Sequence, residues 1–173
     1  MKRNSILLGL AVLAIASPLF ATTVLKMDLQ DLVTGSDSIV QGRVESVETR
    51  WENKLAFTYT SVIVDEEMKG APRRAVLIRL PGGKVGSLSV HVAGMPQFKT
   101  GDQVILFLKG RPDGTFDVVG MNQGKYDIEQ NSAIAHISGI TLFNDKTGRM
   151  EGAGFVDKAP LDLFKAKIRE LVK

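Results

Sequence analysis

The sequence predicts a small all-β domain, an antiparallel barrel with one short helix at each end, and three observations carry that expectation. Apolar and polar residues alternate with period two through Val40–Glu45, Ala75–Leu80 and Ser87–Val92, and Leu55–Glu66 and Thr115–Val119 read as further strands. Turn-forming glycines and prolines separate these runs, as at Lys69-Gly70-Ala71-Pro72, Pro81-Gly82-Gly83 and Arg111-Pro112-Asp113-Gly114. Helical spacing occurs only near the two ends of the chain, a pattern of many short strands bracketed by helices.

The first helix is expected at Asp28–Val33. Asp28 caps it, Asp31 favours its first turn, Leu29, Leu32 and Val33 form its apolar face, and Gly35 suits a left-handed stop. The first strand follows, with Val40, Gly42 and Val44 on one face; a glycine there implies a bend or a close backbone approach. Leu55–Glu66 is rich in β-branched and aromatic residues. Val104–Leu108 is continuously apolar and reads as a central strand buried on both faces. Thr115–Val119 is its hairpin partner, and Lys125–Ile128, Ala133–Ile137 and Ile140–Phe143 are weaker strand candidates, with a hairpin loop at Asn144–Gly148. The closing helix starts at Pro160 and places Leu161, Phe164, Ile168 and Leu171 on one face, expected to cover a barrel opening. The expected barrel core is Val40, Val44, Val62, Val64, Ile78, Val90, Ile105, Phe107 and Val118.

The N-terminus bears on location. Met1-Lys2-Arg3 is basic, Ile6–Phe20 is almost wholly apolar, and Ala21 is small, the three parts of a secretory signal peptide. The apolar run is shorter than the roughly 20 residues of a membrane span. Residues 1–21 are therefore expected to be a signal peptide, with a retained N-terminal anchor as the competing reading, and residues 22–173 a single periplasmic or secreted domain without a membrane span. Removing Lys2 and Arg3 with the signal leaves 20 basic residues against 19 acidic ones, a net charge of +1. A near-neutral chain has no strong field to steer it to nucleic acid. The chain has no cysteine, so the fold rests on packing, and thiolate metal sites and a cysteine nucleophile are excluded.

Ser36-Asp37-Ser38-Ile39-Val40-Gln41-Gly42-Arg43-Val44, the strand ending Glu67-Met68-Lys69-Gly70, Gly94-Met95-Pro96-Gln97-Phe98, Gly101-Asp102 and Val104–Leu108 resemble a group of exported bacterial proteins of unassigned activity. The same residues faintly resemble netrin-like modules, among them the inhibitory domain of tissue inhibitors of metalloproteases. The resemblance covers residues 36–128 and implies a barrel of the oligonucleotide/oligosaccharide-binding (OB) type. The inhibitory chemistry of that family needs an N-terminal cysteine and disulfides, and neither carries over to this chain.

Catalytic signals are sparse. His91 and His136 are the only imidazoles; Ser87 and Ser89 precede His91 on one strand face, which is not a nucleophile elbow. The two histidines give no metal-ligand spacing, Asn144–Gly148 lacks the ligands of a calcium loop, and Gly82-Gly83 with Gly86 lacks the phosphate-loop lysine. No catalytic residue, metal or cofactor is expected. An OB barrel binds through aromatics on its second and third strands within a basic groove. Trp51, Phe57 and Tyr59, with Arg43, Arg50, Lys54 and Arg79, could furnish one; the competing reading makes Phe57 and Tyr59 packing residues. The binding candidates are Trp51, Tyr59, Arg79 and His91. The expected function is an exported, non-catalytic binding or accessory module for a protein or envelope partner. A carbohydrate- or oligosaccharide-binding OB domain is the alternative, and a hydrolytic enzyme the third reading.

Overall fold

The computed structural model describes residues 22–152 and 154–173; the signal peptide expected at residues 1–21 lies outside them. In chain order the elements are β1 (Thr23–Leu25), α1 (Leu29–Gly35), β2 (Ser38–Glu52), β3 (Leu55–Lys69), β4 (Ala75–Pro81), β5 (Gly83–Val85), β6 (Leu88–Val90), β7 (Gln103–Gly110), β8 (Phe116–Val118), a 3₁₀ turn (Met121–Gly124), β9 (Lys125–Glu129), β10 (Ser132–Ile137), β11 (Thr141–Asn144), β12 (Arg149–Glu151), β13 (Phe155–Pro160) and α2 (Leu161–Val172).

Five strands close on themselves in the order β2-β3-β4-β8-β7. The closing pairs are β7 on β2 (Leu108 opposite Ser38, Gln103 opposite Arg43) and β8 on β7 (Phe116 opposite Gly110). This is a small OB-like barrel. One pairing departs from the antiparallel expectation: β8 meets β4 in parallel, at Ile78 and Phe116. The other half of β7's second edge, Val104–Leu106, pairs with β9, and β10 and β13 extend the sheet beyond the barrel. A small sheet of β1, β11 and β12 stands apart, with β1 and β11 parallel.

Alternation along β7 divides the hydrophobic residues into two cores. Val104, Leu106 and Leu108 point into the barrel, where they meet Val40, Val44, Val62, Val76, Ile78, Leu80, Phe116 and Val118. Ile105 and Phe107 point outward into a second core with Ile39, Tyr126, Ala133, Ala135, Ile137, Leu32 and Val33 of α1, and Phe164 and Ile168 of α2. Phe107 stands edge-on to Tyr126 (centroids 6.0 Å) and to Phe164 (6.4 Å).

The barrel core expected from the sequence therefore needs three corrections. Ile105 and Phe107 are fully buried, but on the outer side of the wall, because the strand period assigns the interior to their neighbours. Val90 is 39% exposed, since β6 pairs only with β5 in a two-stranded ribbon outside the barrel. Helix α2 lies against the outer core instead of a barrel opening, for Phe164 and Ile168 meet the aromatic cluster there.

Asp28 caps α1 as expected: its side chain accepts from Asp31 N at 2.9 Å, and Asp31 returns the bond to Asp28 N. Gly35 is not the left-handed stop; the helix ends at Ser36, whose hydroxyl donates to Leu32 O at 2.6 Å. Gly42 behaves as its place in the strand implies. Register shifts flank it in the β2–β3 ladder, and a Cβ there would stand 2.2 Å from Ile63 O.

Candidate functional site

Strands β2 and β3 are each 15 residues long, and their pairing runs to Glu52 opposite Leu55. β7 covers β2 only from Ser38 to Arg43. Beyond that point β2 and β3 form an arm projecting past the closing strand, and the outer edge of β2 from Ser46 to Glu52 pairs with no strand among the described residues. The tip is a two-residue turn, Asn53 and Lys54, both at positive φ (47° and 69°), the backbone that a tight hairpin with matching twist requires.

The pairs Glu48–Tyr59, Arg50–Phe57, Glu52–Leu55 and Tyr59–Arg79 set these side chains on the arm's outer face. They form one connected cluster. The Tyr59 hydroxyl donates to Glu52 Oε1 at 2.6 Å and accepts from Arg79 Nε at 2.8 Å, while Arg79 Nη2 donates to Glu52 Oε2 at 3.0 Å. The guanidinium of Arg79 lies 3.6 Å over the Phe57 ring, and that of Arg50 lies 3.9 Å over the Tyr59 ring. Hydrogen bonds from Tyr59 and Arg79 hold the Glu52 carboxyl below the usual glutamate range. Arg79 is largely covered, its side chain 15% exposed, whereas Arg50 is 60% exposed.

Chemically this is a prearranged face of stacked cations and rings. Each ring carries a guanidinium plane, so an incoming planar or anionic group meets the cation first and the ring behind it. The closed triangle of Tyr59, Arg79 and Glu52 fixes the rotamers in advance, which lowers the entropy lost when a partner docks. The face draws on the first three strands of the barrel: Arg50 and Glu52 come from β2, Phe57 and Tyr59 from β3, and Arg79 from β4.

Of the four residues expected from sequence, the structure brings together Tyr59 and Arg79. Trp51 is a β2 residue opposite Ala56, which sets it on the other face of the arm, 42% exposed. His91 is exposed and lines a separate pocket of about 160 Å³ with Thr58, Gly83, Lys84 and Met95. Glu52, the cluster's acceptor, is not among the residues expected from sequence, because the register of β2 against β3 is set by a turn that the sequence reading does not locate. Counting back from an Asn-Lys turn would have set Glu52 and Tyr59 on one face.

Among the described residues no group of three or more metal-ligating side chains occurs, and no helix is long and apolar enough to cross a membrane. No family model matches the chain, and no curated protein matches it.

Proposed function

We propose that this protein is an exported, non-catalytic binding module in which the β2–β3 arm and its outer face receive a protein partner in the cell envelope. The observation that carries the reading is the arm itself. It combines an open strand edge from Ser46 to Glu52 with a prearranged face of stacked arginines and aromatics beside it. An open edge adds an extended segment of a partner through main-chain hydrogen bonds, while neighbouring side chains supply specificity. Exposed arginine and tryptophan are the residue types that dominate such contacts, and Arg50 and Trp51 flank this edge on its two faces.

Trp51 is the only tryptophan, so its fluorescence reports the arm directly. The expected result is a red-shifted emission that moves blue when the purified envelope partner is added. That partner is to be captured first through a photo-reactive residue at position 51. Arg50→Ala with Tyr59→Phe should weaken the same response by about tenfold or more, the scale of one good interfacial anchor. An emission unchanged by every captured candidate, or a response indifferent to that pair of substitutions, refutes the proposal.

A further inference from the structure

The segment Gly120–Lys125 combines left-handed backbone with buried polar side chains. Gly120 and Met121 both take positive φ (66° and 61°), and Met121 has no glycine's freedom to do so. A Cβ at Gly124 would lie 2.1 Å from Val119 O, so the turn is pressed against the chain that precedes it. Asn122, Gln123 and Lys125 are polar and buried. Gln123 accepts from Met27 N at 2.9 Å and donates to Leu25 O at 3.0 Å; Asn122 donates to Ser138 O at 2.9 Å. Backbone strain held in place by buried polar contacts is the kind of construction found where a site is being positioned.

The site it positions is a cleft of about 190 Å³ between the Met95–Gln97 segment and β9–β10, lined by Met95, Pro96, Asn122, Lys125, Asp127 and His136 among others. Ladder pairing of Ile134 with Asp127 puts Lys125, Asp127 and His136 on one face of the sheet, opposite the face that buries Tyr126. The Lys125 side chain is only 9% exposed, and its ammonium donates to Asp127 Oδ1 at 2.6 Å. The same ammonium stands 5.3 Å from the centre of the Phe98 ring. Two of its three N–H groups and Asp127 Oδ2 carry no other hydrogen bond among the described residues. Asn122 Oδ1 is buried without a partner, an uncompensated acceptor beneath the same cleft.

We infer that this cleft binds a saccharide residue through a vicinal diol. The Lys125–Asp127 pair offers an N–H donor and a carboxylate acceptor side by side, and its charges cancel. A bare anion would meet Asp127 and a bare cation would meet Lys125. Neighbouring hydroxyls satisfy both, since one oxygen accepts from Lys125 while the next O–H donates to Asp127 Oδ2. Met95 and Pro96 give the apolar wall on which the C–H face of a sugar ring rests. This cleft shares no residue with the arm.

The test is an amide-shift titration of the protein with methyl glucoside, methyl mannoside, chitotriose and, separately, inorganic phosphate, each at millimolar concentration. Saturable shifts at Gln97, Asn122, Lys125 and His136 with at least one sugar are expected. A monosaccharide response marks a free sugar as sufficient; a response to chitotriose alone marks a glycan chain. Asp127→Asn should weaken binding about tenfold. Should Asp127→Asn lose spectral dispersion, His136→Ala at the exposed rim provides the second reading. Absence of saturable shifts with every sugar, shifts confined to other residues, response to phosphate alone, or full affinity in the folded cleft variants would each overturn the assignment.

Discussion

Phe107→Ala tests the division of the interior into two cores. Phe107 is fully buried and stands within aromatic contact of both Tyr126 and Phe164, which are themselves 4.4 Å apart. Truncation removes a whole ring and leaves a void bounded on one side by the barrel wall, which cannot collapse far. The loss should therefore fall at about 3–5 kcal/mol, the range for buried phenylalanine. Leu106→Ala, one residue away and equally buried, should cost about 2–5 kcal/mol, but from the barrel interior. Urea unfolding with unchanged slope gives both numbers. The deciding measurement is a double-mutant cycle with Phe164→Ala. Phe107 and Phe164 should couple by about 0.5–1.5 kcal/mol beyond additivity, as aromatic pairs do, whereas Leu106 and Phe164 should be nearly additive. A Phe107→Ala loss under about 0.5 kcal/mol, the usual surface value, would falsify the placement of the ring. Stronger coupling of Phe164 to Leu106 than to Phe107 would show the strand to be one residue out of register.

Two further predictions concern the wall and its outer layer. Gly42→Ala forces a methyl group against a backbone oxygen that cannot move aside without breaking the β2–β3 ladder. A cost of about 1–3 kcal/mol is expected in the same urea assay, and an unchanged midpoint would contradict the close approach. Glu66 ties α2 to β3 through Lys165 (2.6 Å) and Arg169. Burial raises its pKa, but the bonds from Lys165 and Arg169 outweigh burial and hold the carboxyl below its usual range. Because the folded pKa is depressed, its contribution is fully present above the unfolded value of about 4.3 and is lost as pH falls through the folded value. The stability difference between the wild type and Glu66→Gln should thus be constant near neutrality and shrink below about pH 4. A difference that grows on acidification would reverse the sign and refute the bridge.

The barrel was legible because its strands obey a two-residue period. Val40, Val44, Val62 and Ile78 sit where alternation puts them, and the unbroken apolar run of Val104–Leu108 signalled a strand buried on both faces. What alternation cannot say is which buried face belongs to which core, since that depends on partners far along the chain. Phe107 was accordingly assigned to the wrong side of the wall. The pairing of β13 with β10 was also out of reach, because Val156, Asp157, Lys158 and Pro160 offer little strand signal until a neighbour imposes it. At the arm, Tyr59 and Arg79 were readable from composition and strand number. The face that Trp51 occupies was not, because it follows from the turn, and a turn of Asn53 and Lys54 is a weaker marker than one containing glycine.

A wall shared by two interiors has consequences for how the molecule comes apart. The outer layer cannot detach while the barrel persists, since its departure would bare Ile39, Ile105 and Phe107 to water along the strands that hold the barrel closed. Deleting α2 should accordingly loosen amide protection in β2 and β7 as well as in β10, and the two compartments should melt in one transition. The tip of the arm is the exception: β4 pairs with β3 only as far as Phe57, so from Trp51 to Ala56 the arm is a ribbon of two strands, and its amides there should exchange through local fraying well before the common unfolding event.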